Sequence, residues 1–249
     1  MRIALVFFIV VSCAREEISW GPVTYFEESP EARAGSAMLP PRGGAGCAEV
    51  VVVAQGEARY AAWWEVGEGG SSVLMLAGSS DGGTHWDTPI VADQRDAGGL
   101  RCARPLPSLF ADSASEYLHL TYHLSPQGSP GVYFTHSMKA SALGTSGEGV
   151  LHMPVAVIHG ERPVRSSVAG RGDTVVVAFE DPNSRKPRVL LALSTGAGHA
   201  FTTYDAVSPT GAAASSPRVS LDGRSVIVRW QEEITAGSYR AASRSGRLR

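Results

Sequence analysis

Short runs of apolar and β-branched residues, separated by polar turns, recur along the chain from Cys47 onward. The clearest runs lie at residues 58–65, Tyr117–Leu124, Thr174–Glu180 and 225–231, and each carries a bulky ring near its end. Runs of this composition, bounded by Gly, Asp and Ser, are typical of strands. Apolar positions at the spacing of an amphipathic helix are hard to find. The pattern therefore predicts an all-β fold.

The strands fall into repeating units that start near Cys47, Cys102, Arg162 and Ser215. The period of about 55 residues is typical of β-propeller blades rather than of shorter solenoid repeats. The further strands are predicted at 49–54, 105–111, 164–169 and 217–221 (first), 72–78, 131–137, 188–194 and 238–243 (third), and 86–92, 151–158 and 201–207 (fourth). The last unit lacks a fourth strand.

The segment Ile18–Phe26 resembles the missing strand, particularly the stretch that begins at Trp86. An open terminal blade leaves an unpaired edge, and a strand from the other end of the chain removes it. We therefore predict a β-propeller of four four-stranded blades, closed by the N-terminal strand. Residues 27–46, rich in Pro, Gly and Ala, are the predicted crossing loop to the first inner strand.

The first residues have the pattern of an export signal. Met1 and Arg2 precede an apolar run over 3–11, which is too short to span a bilayer as a helix. The ending Val-Val-Ser-Cys resembles a bacterial lipobox, in which Cys13 becomes the lipidated first residue; the alternative is a buried first strand. We expect a lipoprotein-type signal peptide over 1–13, one propeller domain over 14–249, and a lipid anchor that holds the exported protein at the bacterial cell envelope, periplasmic or surface.

Three cysteines are an odd number for an exported protein. If Cys13 carries lipid, Cys47 and Cys102 remain as a pair in an oxidising compartment. Each of the two precedes a first strand, in consecutive units, and neighbouring inner strands of a propeller lie side by side. We predict a Cys47–Cys102 disulfide, and two free buried thiols are the alternative.

Composition and charge exclude several classes of function. The 249 residues are 43% hydrophobic, and 22 Lys and Arg face 24 Asp and Glu, which argues against a nucleic-acid partner. The sequence contains no Gly-rich phosphate loop, G-x-S-x-G elbow or paired C-x-x-C. His119 and His123 share one face of a strand, but no third ligand accompanies them in the sequence. We expect no metal site and no cofactor.

Residues 79–86, Ser-Ser-Asp-Gly-Gly-Thr-His-Trp, fit the Asp-box pattern S-x-D-x-G-x-x-W through Ser79, Asp81, Gly83 and Trp86. In this hairpin the carboxylate caps backbone N–H groups, the glycine permits positive φ and the ring packs beneath, so these residues are structural. A decayed copy lies at 194–201, and a fainter one at 243–246. With these motifs the chain resembles the BNR/Asp-box sialidase-like superfamily, whose members include exo-sialidases and non-catalytic propellers.

A functional site is expected on one face of the propeller, where loops enter the first strands and leave the second strands. Charged and polar side chains that the sequence places there form the candidate ligand-binding set: Arg104, Arg162, Arg165, Arg218, Glu65, His123, Glu180, Asp181 and Glu232. Arginines bind carboxylates in bidentate fashion, and two carboxylates can cleave a glycosidic bond. The alternative is that these groups form structural ion pairs between blades.

Three functions are compatible with these features. The first is a lipid-anchored module that binds a glycan or a protein at the cell envelope. The alternatives are a sialidase-type exo-glycosidase that acts on anionic sugars and a scaffold of an envelope complex that binds no ligand. The expected partners are the membrane, through the lipid, and a glycan or protein ligand. The sequence leaves open whether the protein is an enzyme.

Overall fold

The computed structural model describes residues 18–27, 39–40, 42, 46–97, 99–143 and 151–249. The predicted signal peptide with Cys13, and most of the predicted crossing loop, lie outside the described residues. Within the described part, no helix combines the length and the apolar character that crossing a membrane requires. Three 3-10 turns lie at Glu68–Gly70, Arg101–Ala103 and Ala140–Ala142.

The described residues form sixteen strands, which confirms the all-β prediction. They are β1 (Ile18–Phe26), β2 (Gly46–Gln55), β3 (Ala58–Val66), β4 (Ser72–Ser79), β5 (Ile90–Asp93), β6 (Ser108–Asp112), β7 (Tyr117–Leu124), β8 (Gly131–Ser137), β9 (Val155–His159), β10 (Ser166–Arg171), β11 (Thr174–Glu180), β12 (Val189–Ser194), β13 (Thr203–Ala206), β14 (Ala213–Asp222), β15 (Ser225–Thr235) and β16 (Ser238–Leu248). They form four four-stranded antiparallel sheets, in the orders β2-β3-β4-β5, β6-β7-β8-β9, β10-β11-β12-β13 and β1-β16-β15-β14.

The four sheets, blades 1 to 4 in chain order, correspond to the predicted units. The inner strands contact one another in the order β2, β6, β10, β14. The arrangement is consistent with a four-blade propeller. Among the described elements no substantial contact joins β14 to β2. Closure of the ring therefore stays a prediction.

The three outer strands predicted at 86–92, 151–158 and 201–207 begin later than predicted, at Ile90 in β5, Val155 in β9 and Thr203 in β13. In β5 and β9 a proline, Pro89 or Pro154, directly precedes the first strand residue. Proline has no N–H to donate to a ladder, so it confines the strand to the residues that follow it.

The N-terminal strand β1 completes blade 4, as predicted from the sequence. It pairs antiparallel with β16 from Ile18 opposite Leu248 to Phe26 opposite Ala241. Because β1 pairs along this whole length, β16 continues well beyond the predicted end at residue 243. This pairing is confirmed.

The hydrophobic core lies between the blades, because alternate residues of each second strand point to opposite neighbours. In β11, Val177 and Phe179 belong to a buried cluster that includes Phe134 of blade 2, whereas Val176 belongs to a cluster that includes Trp230 of blade 4. Each sheet is therefore held by its contacts with adjacent blades.

Cys47 and Cys102 form the predicted disulfide, with their Cα atoms 5.4 Å apart. Cys47 lies in β2, and Cys102 lies in the 3-10 turn before β6, so the bond joins the inner strand of blade 1 to the turn that leads into the inner strand of blade 2. The sequence separation is 55 residues. A loop of this length gives a stabilisation of about 4 kcal/mol in the chain-entropy account of disulfides. The prediction is confirmed.

Candidate functional site

A cavity of about 770 Å³ lies where the four inner strands begin, on the face that the sequence analysis selected. Every blade contributes to its wall. The lining residues are Glu49 and Val51 of blade 1, 102–109 of blade 2, 165–167 of blade 3 and 216–218 of blade 4.

Two of the predicted arginines reach this cavity. Arg165 and Arg218 are both exposed, and the Arg165 Nη1 donates a hydrogen bond to the Ser216 Oγ at 2.7 Å. Ser216 has a φ of +54° and lies in the irregularity between Ser215 and Arg218 of β14. Its N–H donates to the Glu180 Oε1 at 2.8 Å. A non-glycine residue held in the left-handed region is strained, and such residues cluster at ligand sites.

Two smaller cavities adjoin at the same serine. One of about 290 Å³ is lined by Arg165, Ser216 and Tyr239, and the other, of about 210 Å³, by Phe26 and Arg218 among others. Tyr239 is 56% exposed and Phe26 is 38% exposed. Exposed aromatic rings beside guanidinium and hydroxyl groups give a surface with both apolar and polar character.

Arg104, in contrast, does not present its guanidinium to the cavity. Its side chain is fully buried and donates to the Asp96 Oδ1 at 2.5 Å, to the Ser72 Oγ and to the His123 backbone oxygen. Burial lowers the pKa of Arg104, and the Asp96 charge opposes that shift. Loss of either partner of such a buried pair is strongly destabilising, because it leaves the other charge uncompensated. Arg104 therefore joins blade 1 to blade 2.

The structure places most of the other predicted acidic residues away from the cavity. The Asp181 carboxylate accepts a hydrogen bond from the Arg188 Nε at 2.8 Å, and Glu232 pairs with Arg240 at 2.6 Å. Glu65 accepts from the Trp63 Nε1 at 3.0 Å. These side chains form local pairs within their own blades and do not line the cavity.

Arg162 and His123 also point elsewhere. The Arg162 Nη2 donates to the Asp181 backbone oxygen. His123 is buried, with its Nε2 3.3 Å from the Gly160 oxygen, and burial lowers its pKa to about 4. Neither residue lines the cavity at the start of the inner strands.

Two of the serines at the cavity use their hydroxyl groups to hold neighbouring inner strands together. The Ser108 Oγ accepts the Val168 N–H at 3.1 Å, and the Ser167 Oγ accepts the Val219 N–H at 3.0 Å, so each hydroxyl joins adjacent inner strands. Glu49 is the one acidic residue among the described residues of the cavity wall, and it is exposed. The charge at this site is therefore mainly positive.

The turn at residues 79–86 is stabilised by hydrogen bonds to the side chains of Asp81 and Ser79. The Asp81 Oδ1 accepts the His85 N–H at 2.9 Å, and the Ser79 Oγ accepts the Gly83 N–H at 3.0 Å. The backbone and side chain of His85 lower the pKa of Asp81 to about 2. Trp86 packs against the buried cluster that contains Trp63. These bonds give Asp81 a role in the turn.

Three histidines gather at the opposite end of the blades from the cavity: His136, His152 and His199. One ligand atom from each lies within 4.8 Å of the others. Burial is the main cause that lowers the pKa of His136 to about 4. This cluster is not among the predicted sites: the histidines noted in the sequence, His119 and His123, share one strand, whereas these three come from different segments. The repeat itself carries the signal, since it places the end of one third strand beside the next unit's hairpin.

No family model matches this chain, and no curated protein matches it in sequence. Several solved structures resemble it weakly. A xylan β-1,4-xylosidase from Bacillus halodurans has a TM-score of 0.48 at 13% identity, over 80% of this chain and 41% of that one. A PL25 ulvan lyase has a TM-score of 0.47 at 12% identity, over 76% and 44%. A bifunctional GH43-CE protein from Bacteroides eggerthii has a TM-score of 0.44 at 9% identity, over 77% and 23%.

The chain spans less than half the length of each of these three proteins. Likenesses at this level assign neither a family nor an activity, and no sialidase or BNR family is shown by them. The function has to be argued from the site.

Proposed function

We propose that this protein is a carbohydrate-binding module that holds an acidic sugar at the cavity formed by its four inner strands. The observation that carries the proposal is that the exposed Arg165 and Arg218 line one cavity of about 770 Å³ together with the strained Ser216, to which Arg165 donates a hydrogen bond. A ligand that suits this site is a uronic or sialic acid residue at the end of a glycan.

The chemistry of the site fits such a ligand. A guanidinium group binds a carboxylate through two parallel hydrogen bonds, and charge-assisted bonds of this kind are about twice as strong as neutral ones. The exposed ring of Tyr239, which shares a pocket with Arg165, offers an apolar face to the C–H side of a pyranose. Arg165 and Arg218 supply the charge, and Tyr239 supplies the contact area.

The distribution of carboxylates favours binding over hydrolysis. Cleavage of a glycosidic bond by the common mechanism needs two carboxyl groups about 5–9.5 Å apart across the bond. Among the described residues of the cavity wall, Glu49 is the one carboxylate, and Glu180 is engaged by the Ser216 N–H. We therefore favour a binding module over the glycosidase alternative.

The test is a glycan array followed by calorimetry with an oligosaccharide that ends in a uronic or sialic acid. Because a hydrogen-bonded charge contributes about 1.5–3 kcal/mol, Arg165→Ala and Arg218→Ala are each expected to weaken binding at least about tenfold. Release of a reducing sugar, measured in parallel, reports hydrolysis.

A matched control is Arg171→Ala. Arg171 is exposed at the far end of β10, where it makes a surface ion pair with Asp222 at 3.4 Å, and its loss is expected to leave affinity unchanged. Three results would each contradict the proposal: equal binding of the same oligosaccharide without its terminal carboxylate, an equal loss in the Arg171 variant, or no acidic glycan bound on the array.

We further propose that the module is exported and held at the envelope by a lipid on Cys13. The support is the apolar run that ends in Val-Val-Ser-Cys and is followed by the polar residues Arg15, Glu16 and Glu17. Cells fed a fatty-acid probe are expected to label the wild-type protein and not Cys13→Ala. Equal labelling of the two proteins would reject the anchor and leave the binding proposal intact.

A further inference from the structure

The three-histidine cluster joins two blades. His136 lies near the end of β8 in blade 2, and its ring centroid is 4.3 Å from that of His152 and 5.3 Å from that of His199. The His152 and His199 rings are 5.1 Å apart. His199 belongs to the hairpin between β12 and β13 of blade 3. The cluster therefore combines two imidazoles of one blade with one of the next.

Local structure brings each imidazole to this place. The His152 N–H donates to the His136 backbone oxygen at 2.9 Å, which holds the segment that precedes β9 beside the end of β8. Gly198 adopts a φ of +83°, and a Cβ at this position would lie 2.0 Å from the Phe134 ring. Only glycine allows the hairpin to lie so close to Phe134. His199 follows directly and reaches the imidazole of His136.

His136 is the most informative member of the cluster. Its side chain is 1% exposed, and its Nε2 has no hydrogen-bond partner among the described residues. An unpaired polar atom in the interior is unfavourable by about 1–3 kcal/mol unless something satisfies it. Stacking of three imidazoles leaves this atom without a partner, whereas a cation would provide one.

We propose that His136, His152 and His199 form a binding site for Zn²⁺, with the fourth coordination position open to solvent. Imidazole nitrogens are preferred ligands of Zn²⁺, and three of them with one open position complete a tetrahedral site. His199 is exposed and His152 is half-buried, so water reaches the cluster from one side. No carboxylate belongs to the group found among the described residues, which favours Zn²⁺ over Ca²⁺ or Mg²⁺.

The spacing requires a small closure on metal binding. Ligand nitrogens around a tetrahedral zinc ion lie about 3.3 Å apart, given zinc–nitrogen bonds near 2.0–2.1 Å. In the present structure the ligand nitrogens of the three histidines lie within 4.8 Å of one another. Rotation of the imidazoles about their side-chain torsions would bring these nitrogens to about 3.3 Å, and His199 is exposed and has room to rotate. The metal then links blade 2 to blade 3 at the end opposite the sugar cavity.

The experiment uses the full chain without a polyhistidine tag, freed of metal with EDTA and dialysed. Titration with Zn²⁺ alone is expected to give one tight equivalent. A saturating excess of about a hundredfold over Kd is expected to raise the melting temperature by roughly 5–10 °C. Co²⁺ in place of Zn²⁺ is expected to give the intense visible absorption of tetrahedral coordination.

The decisive variant is His199→Ala, because this side chain is exposed and its removal leaves the core intact. It is expected to weaken Zn²⁺ binding at least about a hundredfold, since even second-shell changes weaken metal sites ten- to a hundredfold. The matched control is His159→Ala, an exposed histidine at the far end of β9, which is expected to bind Zn²⁺ as the wild type does.

Three results would overturn the proposal. They are the absence of a tight equivalent in the wild type, unchanged binding in His199→Ala, and a weak octahedral Co²⁺ spectrum. Sugar binding is measured in the same preparations with and without Zn²⁺. Because the two sites lie at opposite ends of the blades, failure of one proposal leaves the other standing.

Discussion

Deletion of residues 18–26 is expected to make the protein aggregate on expression. The segment is the outer strand of blade 4, and its loss exposes the whole edge of β16 from Ala241 to Leu248. An exposed, unpaired edge pairs with other chains. The deletion also removes the buried Ile18 and the partly buried Trp20 from the core between blades 3 and 4.

Trp20 accounts for much of this effect and can be tested alone. Its Nε1 donates to the Asp205 Oδ2 in blade 3 at 3.1 Å, and its ring lies against Gly246 of β16. Loss of a large aromatic ring lowers stability by about 3–5 kcal/mol, and Trp20 belongs at the lower end because it is only partly buried. Trp20→Ala is expected to lower the free energy of unfolding by about 3 kcal/mol in a urea titration.

Two further variants distinguish the loss of β1 from a general effect of shortening or altering the chain. Removal of residues 1–14 is expected to leave the protein soluble, because β1 remains. Gly246→Ala is expected to destabilise in the same direction as Trp20→Ala, since its Cβ would come within 2.7 Å of the Trp20 ring. An 18–26 deletion that stays soluble with an unchanged melting temperature would falsify the assignment of this strand to blade 4.

The blades were predictable from the sequence because each repeats the same local signals. Apolar alternation, a polar turn and a terminal ring recur in each unit, and the unpaired edge of the last unit requires a strand from elsewhere. The boundaries were less predictable where Pro89 and Pro154 delay the start of an outer strand. Closure of the ring would need contacts between blade 4 and blade 1, at the two ends of the repeat, and no local pattern encodes such contacts.

The sequence predicts on which face of the blades the cavity lies, but it does not predict which side chains line that cavity. Arg104 lies four residues before β6 and is buried against Asp96, whereas Arg165 lies directly before β10 and reaches the cavity. The difference lies in the partner that tertiary structure supplies. The histidine cluster illustrates the same limit, because its members lie 16 and 47 residues apart along the chain (136 to 152 and 152 to 199).

Acid is expected to destabilise the metal-free protein strongly between pH 6.5 and pH 4. His119 is fully buried and His123 nearly so, and burial is the first cause that lowers the pKa of each to about 4. Asp112 opposes this shift by raising the pKa of His119. The Gly160 oxygen and Asp96 likewise raise the pKa of His123, whereas Arg104 lowers it further. In both histidines the effect of burial is larger than the effects that oppose it.

The sign follows from proton binding in the two states. Above pH 6.5 both imidazoles are neutral in the folded and in the unfolded chain, so protonation of these two histidines does not lower the free energy of unfolding. As the pH falls toward 4, the unfolded chain binds protons that the folded chain excludes, and stability is lost. Each histidine accounts for a loss on the order of 3 kcal/mol, and the two together approach the whole stability of a typical domain.

The measurement is the free energy of unfolding in urea at a series of pH values, with EDTA present throughout. His119→Leu is expected to reduce the slope against pH by about one bound proton between pH 6.5 and 4, whatever it does to stability at neutral pH. Leu120→Val is the matched control, because it alters the same strand of the core and leaves the number of titrating groups unchanged. It is expected to shift the whole curve and to keep its slope. A slope that His119→Leu leaves unchanged would mean that His119 takes up its proton as readily in the folded protein as in the unfolded chain.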